Sequence, residues 1–187
     1  MKTIPFSSPD IQDSDLKAIE SVIRSGWLTH GKYSERLEEL FCEYTGANYA
    51  STVSNCTAGL HLSCLAAGFG PGNEVIVPAQ THTATAHAVE FTGAKAVFAD
   101  VDPLSGNIVL NEIESKLTHH TKGIIPVHMA GHPCNMKDIK SFCKKNDVKS
   151  QISLQFFKNC NYICDKKSKT REQKYEYLGK GEQIYIW

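Results

Sequence analysis

The sequence predicts an α/β fold over residues 47 to 149: three layers, α/β/α, around a mainly parallel sheet. Three observations predict it. Helical and strand patterns alternate after residue 47, the strands EVIVP, KAVFADVD and KGIIPVH are close to continuous apolar runs, and turn signals such as GPGN fall between the elements. Strands without apolar/polar alternation need cover on both faces. Helices between consecutive strands supply that cover and leave the strands parallel.

The elements follow in order. Residues 1 to 46 form an N-terminal helical segment. Ser14 can cap a first helix whose apolar face is Leu16, Ile19, Val22 and Ile23, with Gly26 as its stop. In a second helix Tyr33, Leu37, Leu40, Phe41 and Tyr44 recur at helical spacing until Gly46. A short strand around NYASTVS leads into a helix from Thr57 to Ala67, followed by the turn Gly70 to Asn73 and the strand EVIVP. Helix THTATAHAVEFTG, strand KAVFADVD, a loop through SGN, helix NEIESKL, strand KGIIPVH and helix NMKDIKSFCKKN complete the series.

Composition narrows the function classes. The 187 residues are 41% apolar and 21% charged, enough to bury a core, with a formal net charge of zero and a pI near 7.1. There is no long-range attraction to nucleic acid or an anionic membrane, and no basic run to suggest either. No segment approaches the length of a membrane span and no signal peptide is evident, so the chain reads as cytoplasmic. The seven cysteines are odd in number and widely spaced, and Cys64 sits in an apolar helical pattern, so buried reduced thiols explain them better than disulfides. Cys160 and Cys164 have a metal-compatible spacing but no second pair nearby. His128 and His132 lose helical meaning to Gly131 and Pro133. No metal is expected.

The stretch VSNCTAGLHL, Val53 to Leu62, carries the first functional signal. Small polar residues at a strand-to-helix junction leave backbone N–H groups uncovered beside the positive end of the helix dipole, where an anion binds well. Ser54, Asn55 and Thr57 would equally serve a helix start with no ligand. In a parallel sheet, however, ligands gather outside the carboxyl ends of the strands, and this stretch lies there. Neither GxGxxG nor GxxxxGK[ST] occurs, so a dinucleotide fingerprint and a nucleotide P-loop are both excluded. A pyridoxal phosphate monoester fits such a turn.

Six segments, GWLTHG, SNCTAGLHL, GPGNEVIVP, THTATAHAVE, FADVD and PVHMAGHP, fall in the order and spacing of the DegT/StrS-type sugar aminotransferases. The chain resembles the N-terminal half of that family over about residues 4 to 148. The resemblance implies the large domain of a fold-type I pyridoxal phosphate enzyme, truncated, in a family of dimers. It implies that Asn55, Cys56 and Thr57 hold the cofactor phosphate, with Cys56 where glycine is common. It further implies that His82 covers the pyridine ring and that Trp27, Thr29 and Gly31 lie near cofactor and sugar substrate. Without the resemblance, His82 reads as a helix-start residue and Gly31 as part of a tight interhelical turn.

The family's chemistry also needs an acidic residue at the pyridine nitrogen and a Schiff-base lysine, and neither pattern follows residue 149. Every alanine and every valine of the chain lies before residue 150, and the charge balance changes from acidic to basic there. Residues 150 to 187 therefore read as a non-family tail, poorly ordered, either out-of-frame sequence or a divergent C-terminus packing as a short helix. The implied activity is transfer of an amino group, from glutamate as donor, to a nucleotide-linked keto-sugar in polysaccharide or amino-sugar biosynthesis. The alternative is a non-catalytic fragment or dimer partner, because the catalytic lysine is not found. The tail lysines read as solvated charges, and Lys149 falls where the next strand should begin.

Overall fold

The computed structural model describes residues 8–150 and 184–186. Two helices open it, α1 at Asp13–Ser25 and α2 at Lys32–Thr45. Ser14 does not cap α1. Gln12 is the N-cap: its N–H donates to the Asp15 carboxylate at 2.9 Å, and its carbonyl accepts from the Asp15 N–H at 2.9 Å. A carboxylate three residues into the helix reaches back to the N-cap amide, which the hydroxyl of Ser14, already inside the first turn, is not positioned to do. Gly26 and Gly46 close the two helices in the left-handed region, at φ 70° and 76°. Leu16, Ile19 and Ile23 of α1 are each more than half exposed, so the amphipathic stripe is present but uncovered.

The alternating region comprises β1 (Ala50–Thr52), α3 (Cys56–Ala66), β2 (Glu74–Pro78), α4 (Thr83–Glu90), β3 (Lys95–Ala99), α5 (Leu110–Ser115), β4 (Thr121–Ile124), α6 (Met136–Asn146) and β5 (Lys149–Ser150). The sheet order is β3-β2-β4-β5 and every pairing in it is parallel. Strand β2 shows how the layers form. Val75, Ile76 and Val77 are fully buried, and alternate residues point to opposite faces. Val75 and Val77 pack with Leu60 and Cys64 of α3 and Ala84, Ala88 and Val89 of α4. Ile76 faces the other way, toward Ile113 of α5 and Ile139, Phe142 and Cys143 of α6. Helices thus cover both faces of a mainly parallel sheet.

Several boundaries differ from the sequence reading. Strand β1 is shorter than NYASTVS, α3 starts one residue early at Cys56, and α4 starts two residues late because His82 caps it rather than belonging to it. Lys149 begins β5, where the next strand was expected, and Ser150 extends the paired region one residue past the expected junction. Strand β6 (Ile184–Ile186) pairs in parallel with β1, Ala50 opposite Ile184 and Thr52 opposite Ile186, in a separate two-stranded sheet. The remaining expectations for the tail, the Cys160 and Cys164 spacing included, lie outside the described residues. No helix among the described residues is long and apolar enough to cross a membrane.

Candidate functional site

The turn from β1 into α3 is built by its cap. Asn55 takes an extended backbone at the N-cap and its Oδ1 accepts the N–H of Ala58 at 2.9 Å, while its carbonyl accepts from Gly59 at 3.2 Å. One side chain therefore satisfies the third amide of the helix and leaves the first two. Among the described residues no hydrogen-bond acceptor meets the N–H of Cys56 or of Thr57. Such unmet donors at the first turn of an eleven-residue helix are the groups an anion takes.

Cys56 shows why a side chain is tolerated in this turn. It is buried and packs in the core with Leu60, Cys64, Val77 and Ala84, so the sulfur points inward while the N–H stays at the helix end. Burial pushes its thiol pKa up, as it does for Cys64, Cys134 and Cys143, each raised to about 11. These four thiols are free and buried, with no thiolate character to make them nucleophiles.

His82 stands at the corresponding place after β2. Its Nδ1 accepts the N–H of Ala84 at 3.1 Å and its carbonyl accepts from Thr85 at 3.0 Å, so the ring serves as the N-cap of α4. An accepting Nδ1 places the neutral ring's proton on Nε2. Helices α3 and α4 share one apolar cluster on the same face of the sheet, and both caps follow the carboxyl ends of their strands. The structure thus puts Asn55, Cys56, Thr57 and His82 on two helix starts of one layer.

Trp27, Thr29 and Gly31 form the connection between α1 and α2. The Trp27 indole Nε1 donates to the His30 carbonyl at 2.8 Å and lies against Gly31, where an added Cβ would sit 2.8 Å from the ring. The extended backbone of Gly31 suits any residue, and the lack of a Cβ is what lets the Trp27 ring lie against it. A residue that sequence reasoning missed ties this turn to the end of β1. Glu38 Oε1 accepts the Thr52 N–H at 2.7 Å and the Thr52 hydroxyl at 2.9 Å, and lies 3.2 Å from His30 Nε2. The Thr52 N–H, foremost among these contacts, holds the Glu38 carboxyl below its ordinary pKa. Glu38 lies off the Tyr33, Leu37, Leu40 and Tyr44 stripe of α2, so the helical pattern carried no signal for it.

At the ends of β3 and β4 a polar loop is fixed by Asn107, which is buried. Its Nδ2 donates to the His132 carbonyl at 3.0 Å and its Oδ1 accepts from Met129 N–H at 2.9 Å. His128 Nδ1 accepts the Cys134 N–H at 3.1 Å, and burial lowers the His128 pKa. His128 and His132 are therefore engaged separately. No group of three or more metal-ligating side chains is present among the described residues. Lys149 points away from the candidate site: its Nζ donates to the Ala67 carbonyl at 2.6 Å, at the C-terminal end of α3.

This is the large-domain framework of a vitamin B6-type aminotransferase. The chain belongs to the DegT/DnrJ/EryC1/StrS aminotransferase family, whose model matches residues 9–150. An aminotransferase from Psychrobacter cryohalolentis is 34% identical with a TM-score of 0.75, over 79% of this chain and 38% of that one. TlmJ, an aminotransferase of Streptoalloteichus hindustanus, is 32% identical with a TM-score of 0.71, over 80% of this chain and 42% of its own. The Bacillus subtilis protein ntda, solved with bound cofactor PMP, is 30% identical with a TM-score of 0.70, over 75% of this chain and 32% of its own. The chain thus spans well under half the length of these structures.

Proposed function

We propose that the chain carries the phosphate-holding part of a pyridoxal phosphate aminotransferase whose lineage moves an amino group, with glutamate as donor, onto a nucleotide-linked keto-sugar. The observation that carries this reading is the pair of amides at Cys56 and Thr57 that no acceptor among the described residues meets, at the carboxyl end of β1, in a turn whose one bulky side chain faces the core. A phosphate monoester fits there: two N–H donors and the helix dipole favour its charge, and Thr57 adds a hydroxyl. Asn55 orients the turn through Ala58. His82 presents a planar ring at the neighbouring helix start, suited to cover a flat heterocycle. Trp27, Thr29 and Gly31 are assigned to the sugar side. When bound, the cofactor supplies an electron sink for cleaving bonds at the amino-bearing carbon.

In the same reading the chain is a binding partner or remnant rather than a complete catalyst. Amino transfer needs a base at the reacting carbon, and losing such a group removes about 10²- to 10⁴-fold in rate. Lys149, the nearest lysine in the chain to the expected next strand, is turned to Ala67 at the far end of α3. The test is a transamination assay with pyridoxal phosphate, glutamate and a panel of nucleotide-linked keto-sugars. The reading expects saturable cofactor binding with turnover no greater than that of heat-killed protein. Turnover well above that control would overturn the non-catalytic part, and absence of binding would overturn the cofactor part.

A further inference from the structure

One carboxylate oxygen joins the two segments that the proposed function assigns to substrate and to phosphate. Glu38 Oε1 takes both donors of Thr52, the backbone N–H and the hydroxyl, and faces His30 Nε2. Thr52 is the last residue of β1, and the phosphate turn begins three residues later at Asn55. His30 lies between Thr29 and Gly31, and its carbonyl holds the Trp27 indole. Strand β1 is three residues long, so its ladder alone fixes the exit direction poorly, and the end of the strand is held instead from the side by α2. We propose that Glu38 is a positioning residue: it sets the direction in which β1 delivers the Cys56 and Thr57 amides to a phosphate, and it couples that direction to the turn bearing Trp27 and Gly31. The inference rests on the phosphate-holding reading of Asn55–Thr57.

The geometry separates a positioning role from simple stability. The Glu38 side chain keeps 21% of its surface exposed, and no residue of α2 belongs to either apolar core cluster, so substitution at Glu38 leaves both clusters intact. The loss is of an acceptor for two donors on one residue, which frees the end of β1 rather than unpacking α2. Glutamine keeps an oxygen at the same reach and can still accept from Thr52. Leucine keeps an aliphatic side chain, one atom shorter, and removes the acceptor.

The experiment compares Glu38→Leu, Glu38→Gln and Glu39→Gln in the full chain. Glu39 pairs with Arg36 on the exposed side of α2 and serves as the control. Pyridoxal phosphate and inorganic phosphate are titrated by fluorescence, and amide hydrogen exchange is followed at residues 52 to 57. Glu38→Leu is expected to weaken both ligands about tenfold and to speed exchange across that segment. Glu38→Gln should recover most of the affinity, and Glu39→Gln should match the parent. Equal affinity of folded Glu38→Leu and parent overturns the proposal, as does an equal loss in Glu39→Gln. Should Glu38→Leu fail to fold, parent-like affinity and exchange in Glu38→Gln support an acceptor role, and a loss of about tenfold or more in Glu38→Gln overturns it. A parent chain that binds neither ligand removes the cofactor reading. Glu38 is then judged by exchange alone: faster exchange at Thr52 to Thr57 in the leucine variant, reversed in the glutamine variant, supports it, and unchanged exchange overturns it.

Discussion

Replacing Cys56 by proline removes one of the two proposed phosphate donors with little harm to the helix. Cys56 is the first residue of α3, where proline's missing N–H breaks no intrahelical bond and its fixed φ suits the helix. Proline also requires an extended residue before it, and Asn55 already sits at φ −166° and ψ 167°. The thiol is lost as well, so Cys56→Ala is the comparison: it keeps the N–H and gives up the sulfur, at about 1 kcal/mol for roughly one buried heavy atom. The difference between the two variants isolates the amide. A hydrogen bond to a charged group contributes about 1.5–3 kcal/mol, hence a loss of roughly 10- to 100-fold in affinity for pyridoxal phosphate or inorganic phosphate. Fluorescence titration reads the affinity and urea unfolding confirms that both variants fold. Equal affinities in folded Cys56→Pro and Cys56→Ala would refute the claim that this backbone donor holds the phosphate.

Three further outcomes follow from particular contacts. Gly123→Ala would put a Cβ 2.1 Å from Cζ of Phe69, which is itself buried, so the variant should lose about 1–3 kcal/mol in urea unfolding, and Phe69→Leu in the same chain should recover part of it. Gly31→Ala would place its Cβ 2.8 Å from the Trp27 ring, which should displace the indole and shift its fluorescence while leaving the free energy of unfolding within about 0.5 kcal/mol of the parent, as this turn is exposed. The buried His128 is kept neutral, its pKa lowered by burial from an ordinary 6.5. The unfolded chain therefore takes up a proton that the fold resists. This contribution is intact above pH 6.5 and is lost as the pH falls below it, before the carboxylates protonate. Urea midpoints measured from pH 7.5 down to pH 5 should decline in the parent and flatten in His128→Asn, and an unchanged slope would contradict this assignment.

What was legible in the sequence was what a short window decides. EVIVP is apolar at every position a strand must bury on two faces, so β2 and its layers could be read directly. Glycines 26 and 46 marked the ends of α1 and α2 through a local backbone requirement. Helix starts were less legible because competing caps lie within a residue or two. Gln12 prevails over Ser14 through Asp15, and His82 caps α4 with a ring nitrogen where the pattern suggested a helical residue. Glu38 could not be assigned at all, since its partner Thr52 is fourteen residues away and on another element. The Cys56 position looked like a departure from the glycine common in the family, and only the packing shows its side chain directed into the core.

The two amides at the start of α3 are the proposed anchor of the phosphate. In a ¹H–¹⁵N titration of the chain with inorganic phosphate and with pyridoxal phosphate, the largest saturable shifts are expected at Cys56 and Thr57, with both ligands competing for the same residues. Saturation with shifts centred elsewhere, or none at Cys56 and Thr57, would contradict the assignment of this turn as the phosphate site.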